Sequence, residues 1–376
     1  MEQEHAVLTE EMLEDVRRRI GVDWRPREPY FNVQATRDTI RHFAHGIGDG
    51  NPLWCDPDYA STTPFEVILA PPSFLYSVYW CSGRIGLPGI HAWHSGNDWT
   101  FFRRIKEGEI IQYRVQVKDL IEKKSQMAGR TFIEYCECIY ETVAGEPIAR
   151  CLGWSVRAER RASGDRGKYR DIEPARYTPE ELRQIYDDYA QEEIRGATPR
   201  YWEDVEVGDE LTPVVKGPLS MRDMFAWLIG AGSPFMKAHG IALDYQQRHP
   251  GAVMVDNTTG QVDVPELVHM EPSRAREIGI PDRYDYGAQR MSWLFHVVTN
   301  WMGDAGFLTS LYGELRRFNV VGDTTWIKGK VTRTYVEDER YLVDIDIWGE
   351  NQRGEITVPG RATVQLPSRS QPGVLP

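Results

Sequence analysis

The chain runs through one series of segments twice, and this repetition constrains its fold more than any other feature. The first half reads TRDTIRHFAHGIGDGNPLW, then LAPPSFLYSVYW, then FFRRIKEGEIIQYRVQV, then an alternating stretch ending GEPIARCLGWSVRAE. The second half reads SMRDMFAWLIGAGSPFM, then YDYGAQRMSWLFHVVTNWMGDAG, then LRRFNVVGDTTWIKGKV, then YLVDIDIWGENQRGEITVPGRATVQL. Self-similarity on this scale means one supersecondary unit used twice, neither copy able to bury its apolar face alone. The order predicts two units of near-equal length.

Between them, Arg157 to Arg200 is rich in charge and breakers. It holds one predicted helix, from Pro179 to about Arg195, announced by TPEE at Thr178. A length of 376 residues suits two domains. The division expected is residues 1–160, a linker over 161–199, and residues 200–376.

Within the second unit Met291, Leu294, Phe295, Val298, Trp301 and Met302 form one apolar stripe at helical spacing, which marks a core helix. Period-2 alternation predicts strands at Ile110–Leu120, Arg130–Thr142 and Ile148–Ala158, and again at Thr324–Val336, Tyr341–Trp348 and Ile356–Leu366. A buried helix wrapped by an antiparallel sheet is an α+β solution.

A formal net charge of −12 argues against nucleic acid or an anionic membrane as the main partner. No apolar run reaches the ~18–20 residues of a membrane span, and the acidic, amphipathic start is unlike a signal peptide, so a cytoplasmic protein is expected. The five cysteines, all in the first half, do not form a disulfide framework. Cys136 and Cys138 should share one strand face. No second ligand pair stands at zinc spacing, and no metal is expected.

GDGNPLWCDPDYA, from Gly48 to Ala60, together with Ala70-Pro71-Pro72-Ser73-Phe74 and the Glu107-Gly108-Glu109 turn, resembles the MaoC-like hot-dog family of acyl-thioester hydratases and dehydratases. The form resembled is the double one, whose first half is similar to the fatty-acid-synthase-type dehydratase domain. The resemblance implies a double hot-dog, each unit a long central helix wrapped by a sheet. It also implies addition or removal of water across the 2,3 bond of a CoA or carrier-protein thioester. The ligand would be acyl-CoA, with no further cofactor, and the chain would be a homo-oligomer or would pair with another hot-dog subunit.

The family's loop reads GD-x-NP-x-H-x-D, its Asp and His sharing one water. Here Asp49, Asn51, Pro52 and Asp56 match, but Trp54 replaces the His. An indole has one N–H donor and exchanges no proton at neutral pH. The family's second element is a His-Gly whose glycine N–H meets the thioester oxygen. Pro71-Pro72 takes its place in the first half and has no N–H. In the second half the same place reads Tyr286-Gly287, but there Ala231 replaces the loop Asp.

These residues carry paired readings. Asp49 is the catalytic carboxylate or a turn cap; Trp54 is a pocket wall or fills the vacated imidazole volume. Tyr286, with Asp285 and Gly287, donates to a substrate oxygen or simply packs at a helix start. His296, Asn300 and Asp304 line a cleft or form a polar interface. His94 is the first candidate for the missing imidazole, and His91 precedes the same edge-like strand. Arg103 and Arg104, like Arg316 and Arg317, hold CoA phosphates or are ordinary solvated arginines. Asn51 joins the substrate contacts. Three functions follow: a hydratase or dehydratase, a non-catalytic thioester-binding or partner-completing subunit, and a thioesterase.

Overall fold

The computed structural model of the protein describes residues 6–25, 29–83, 85–125, 129–159, 172–255, 259–371 and 375–376. Alternation sets its strands. In Gly129–Thr142, Phe132, Glu134, Cys136, Cys138 and Tyr140 are buried while Ile133, Tyr135, Glu137 and Ile139 are half-exposed, the period-2 pattern of a sheet with one packed face.

Ten strands form one antiparallel sheet: β1 (Asp23–Trp24), β2 (His91–Phe101), β3 (Ile111–Ser125), β4 (Gly129–Thr142), β5 (Pro147–Ala158), β6 (Glu210–Lys216), β7 (Phe307–Glu314), β8 (Thr325–Glu337), β9 (Arg340–Asn351) and β10 (Ile356–Gln365). Their order is β1-β3-β4-β5-β2-β7-β10-β9-β8-β6. Each unit contributes five strands, and β2 pairs with β7, Thr100 opposite Ser310 and Gly96 opposite Glu314. This seam makes two sheets one. It also places His91 and His94 in an inner strand rather than before an edge strand.

The helices that matter to the site are α1 (Arg37–Ile47), α2 (Pro179–Ala190), α3 (Met221–Ala231) and α4 (Gly287–Met302). Every residue of α4 from Ala288 to Met302 is buried, and the helix packs on strands of both units, β2 included. Its predicted apolar stripe is core. The first unit's central segment is much shorter than expected: a 3-10 turn at Pro72–Phe74 and one helical turn at Leu75–Val78. Tyr79 is already extended, its carbonyl accepting from Tyr140 Oη at 2.6 Å and its ring stacked on Tyr113 at 4.8 Å. Buried tyrosines thus capture the chain where a helix would continue.

α1 and α3 cross at close range. A Cβ on Gly46 would lie 2.7 Å from the Ala226 carbonyl oxygen, and one on Gly230 would lie 2.5 Å from that of His42. α2 starts as the sequence predicts, with Thr178 and Glu181 capping each other's backbone, but ends at Ala190. Much of the breaker-rich run before it lies outside the described residues.

The units are also unequal. Residues 53–71 separate the loop from the central segment in the first, and residues 235–286 in the second. The five cysteines are free thiols; Cys136 and Cys138 are both fully buried, as a shared face requires.

Candidate functional site

Asp49 sits where α1 ends. Gly48 adopts the left-handed conformation that closes the helix (φ 67°), and Asp49 follows directly. Its Oδ1 accepts from the Asn51 backbone N–H at 3.0 Å, and its Oδ2 accepts from the Trp54 indole N–H at 3.0 Å. Trp54, itself buried, therefore bonds the carboxylate through its indole. Asn51 is spent locally: its side-chain oxygen accepts from Leu53 N–H and caps the turn Pro52–Cys55.

An imidazole reaches Asp49 from the other unit. His296, in the middle of α4 and fully buried, turns Nε2 toward Glu192 Oε1 at 2.9 Å and Asp49 Oδ1 at 3.5 Å. That ring nitrogen thus lies between two carboxylates, the nearer of them Glu192. On the ring's other side Lys216, the last residue of β6, brings Nζ to 2.8 Å from Nδ1. Lys216 also donates to the Ile47 carbonyl at 2.7 Å and the Gly48 carbonyl at 3.1 Å. Its three protons thus have three acceptors, two of them at the negative end of α1. Asn300, one turn after His296, donates to Glu192 Oε1 at 2.9 Å.

The charges tune one another. Burial pulls the Lys216 ammonium down to about 8, against the opposing pull of Glu192, Asp49 and Asp223. Burial pushes the Glu192 carboxyl up, but the hydrogen bond and charge of His296, helped by Lys216 and Asn300, outweigh it and hold the group at about 2. A carboxylate, an imidazole and an amine whose pKa burial lowers to about 8 can hand protons to one another. The polar face of α4 is thus an interface with the first unit and the linker, and just past the helix end Asp304 accepts from Tyr59 Oη at 2.6 Å.

The other expected residues fall elsewhere. Gly287 and His296 are nine positions apart on α4, about 13 Å at 1.5 Å per residue. Asp49 and the Tyr286-Gly287 end therefore belong to two places. Asp285 is buried in a two-pronged ion pair with Arg290 and accepts from Asn319, so it anchors the helix rather than a substrate. His94 lies far from Asp49's partners. Its Nε2 is 2.7 Å from Asn97 Oδ1, and its Nδ1 would be 2.7 Å from a Cβ on Gly287.

Arg104 is half-buried between the rings of Phe65 and Phe307 and donates to the Gly306 carbonyl. Burial lowers its pKa to about 10. Arg103 pairs with Glu109 and Glu146. Both are structural ties, and neither presents a free guanidinium to a phosphate. No group of metal-ligating side chains occurs among the described residues.

Lys216 and Glu192 had no place in the sequence reading. A lysine ending the apolar run LTPVVK is the one local sign of the first; Glu192, among the acids of the linker, has none.

Two five-stranded halves joined edge to edge, with the long helix α4 against their common sheet, define a double hot-dog. Residues 20–151 match the family described as the FAS1-like dehydratase domain region. The UPF0336 protein of Streptomyces avermitilis is 25% identical over 140 residues, 35% of this chain and 88% of that protein. That of Streptomyces coelicolor is 26% identical over 150 residues, 38% and 93%.

Among solved structures, a MaoC-like dehydratase aligns with TM-score 0.64 at 17% identity over 94% of this chain and 100% of that one. A MaoC domain protein dehydratase from Chloroflexus aurantiacus gives 0.61 at 12% over 93% and 96%. A conserved hypothetical protein with a double hot-dog fold from Mycobacterium tuberculosis gives 0.56 at 9% over 92% and 96%. The whole chain thus has the fold of MaoC-like dehydratases. No helix among the described residues is long and apolar enough to cross a membrane.

Proposed function

We propose that the chain is a hydro-lyase acting across the 2,3 bond of an acyl-CoA or acyl-carrier thioester, with Asp49 and His296 as its acid–base pair. The observation that carries this reading is the 3.5 Å approach of Asp49 Oδ1 and His296 Nε2 across the two units, at the loop position where the resembling family keeps its own Asp. Groups this expensive to bury are retained where their protons are used.

In the hydration direction Asp49 takes a proton from water as its oxygen bonds to C3, and the double-bond pair moves toward C2 and the thioester. C2 takes the Nε2 proton of His296 while Lys216 passes one to Nδ1. The proton on Asp49 then returns to the relay, so one water is added overall.

A second reading, a thioester-binding or partner-completing subunit, is favoured by one observation. The Trp54 N–H already occupies Asp49 Oδ2, in a site whose carboxylate and imidazole are buried to 2% exposure or less.

Hydration of short and bulky enoyl-CoA esters tests both. Asp49→Asn and His296→Gln should each lower turnover ~100-fold or more while the thermal melt stays cooperative. Wild-type turnover untouched by either change would sink the Asp49–His296 assignment. Tight thioester binding with no turnover would establish the second reading.

A further inference from the structure

Between the linker and the last turns of α4 lies a cavity that the thioester reading does not use. It measures about 220 Å³, part of it open to solvent, and is lined by Glu193, Arg195, Arg200, Thr212, Asn300 and Trp301. Its enclosed part is about one water molecule wide. Asn300 is 3% exposed, and its amide has one orientation: Nδ2 donates to Glu192 Oε1 at 2.9 Å, where the carbonyl oxygen would meet a carboxylate instead. Oδ1 is therefore the atom left for the cavity, and it accepts from no group among the described residues. A buried acceptor so placed needs a donor.

Two guanidinium groups line the same space. Arg195 is fixed by Nε and Nη2, which donate to the Thr198 and Pro199 carbonyls at 3.0 and 3.1 Å. Arg200 is fixed by Nε, which donates to the Trp301 carbonyl at 2.8 Å, while its head lies 4.5 Å from the centre of the Trp301 ring. Neither has a carboxylate at ion-pair distance among the described residues. Burial, and after it the charge of Arg195, lowers the pKa of Arg200, so the two cations are incompletely compensated where they stand. Of the six lining residues only Glu193 is acidic; it is exposed and accepts from the Thr212 hydroxyl at 3.4 Å. Two positive charges against one negative leave the lining cationic.

We infer that this cavity is a phosphate site: one P–OH oxygen enters the enclosed part and donates to Asn300 Oδ1, and Arg195 and Arg200 hold the remaining oxygens at the mouth. The ligand is inorganic phosphate or a phosphate monoester, which bring anionic oxygens for the guanidinium forks and a proton for the buried acceptor. The site goes beyond the thioester reading and shares no residue with its acid–base pair. It still bears on that pair, because a donor on Oδ1 strengthens the donation of the same amide to Glu192, the nearer partner of His296 Nε2.

The test titrates the full chain calorimetrically, at pH 7 and in a phosphate-free buffer, with inorganic phosphate, glycerol 3-phosphate and sulfate. Phosphate should bind one equivalent. Sulfate, of the same shape but with no proton to give, should bind about tenfold more weakly or worse. Tighter binding of glycerol 3-phosphate than of phosphate supports the site with a monoester as its ligand, and the reverse supports it with free phosphate. Arg195→Gln and Arg200→Gln should each weaken phosphate about tenfold or more. No saturable phosphate binding, the result for a cavity that takes water alone, overturns the proposal. So does affinity that survives both arginine changes, or sulfate bound as tightly as phosphate. Should the arginine variants fail to melt cooperatively, Glu193→Gln decides from an exposed position: losing that carboxylate should tighten phosphate roughly threefold, and unchanged or weaker affinity overturns the site. None of these titrations contains a thioester, so failure here leaves the Asp49 reading standing.

Discussion

Lys216 Nζ lies 2.8 Å from Nδ1 of His296 and spends its other two protons on the carbonyls that end α1. When the imidazole is neutral, an ammonium donating to Nδ1 makes it the Nε2–H tautomer, which turns its proton toward Glu192 and Asp49. Lys216 therefore decides what His296 can do, and it ties β6 of the second unit to α1 of the first.

This pairing gives a pH signature. Lys216 titrates near 8 in the fold against 10.5 unfolded, so between those values the unfolded chain binds more protons. On this group's account stability rises with pH from about 8 to 10.5, and the cost of the buried charge is fully present below 8. Denaturant unfolding at pH 7.5 and 9.5 should show that rise in wild type and a smaller one in Lys216→Met. Hydration that needs the Lys216 proton should fall as pH passes about 8.

Glu192 works at the acid end. Its folded pKa of about 2 lies below the unfolded 4.5, so its contribution is complete above 4.5 and is lost as pH falls through 2. Acid titration followed by circular dichroism should show Glu192→Gln less stable than wild type at neutral pH, with the gap closing between pH 4.5 and 2.

Trp54→Phe keeps most of the ring volume and deletes the N–H that Asp49 Oδ2 accepts. An acceptor stripped of its partner in a buried site costs ~1–3 kcal/mol, readable in chemical denaturation. A loss near zero would mean that the indole only fills space. Trp54→His should not restore turnover by simple addition, because His296 already lies against Asp49.

The α1–α3 crossing should tolerate no side chain at Gly230. Gly230→Ala pushes a methyl to 2.5 Å from the His42 carbonyl oxygen, which the helices can relieve only by separating. Overpacking of this kind costs ~1–3 kcal/mol, and because α1 carries Asp49 at its end, turnover should fall along with the melting temperature.

The local elements were legible because their signals are local. Alternation located the strands of both hairpins to within a few residues, and helical spacing picked out α4 and its buried stripe. The repeat foretold two joined units, and the loop motif pointed to Asp49. The sequence also marked Trp54 as a residue with a single N–H to give, and that donor meets Asp49 Oδ2.

Which imidazole stands beside Asp49 was decided by tertiary structure. His296 is 247 positions from Asp49, and its helical spacing shows only that it lies off the apolar stripe. Whether that face meets solvent, the linker or the other unit depends on the β2–β7 seam and the close crossing of α1 and α3, which no local pattern encodes. Lys216 and Glu192 join the cluster for the same reason: a strand end and a linker turn were brought against one imidazole. Periodicity records how each segment buries its own apolar face, whereas the site is made of polar groups from segments far apart in sequence, and only packing the two units together sets the distances between them.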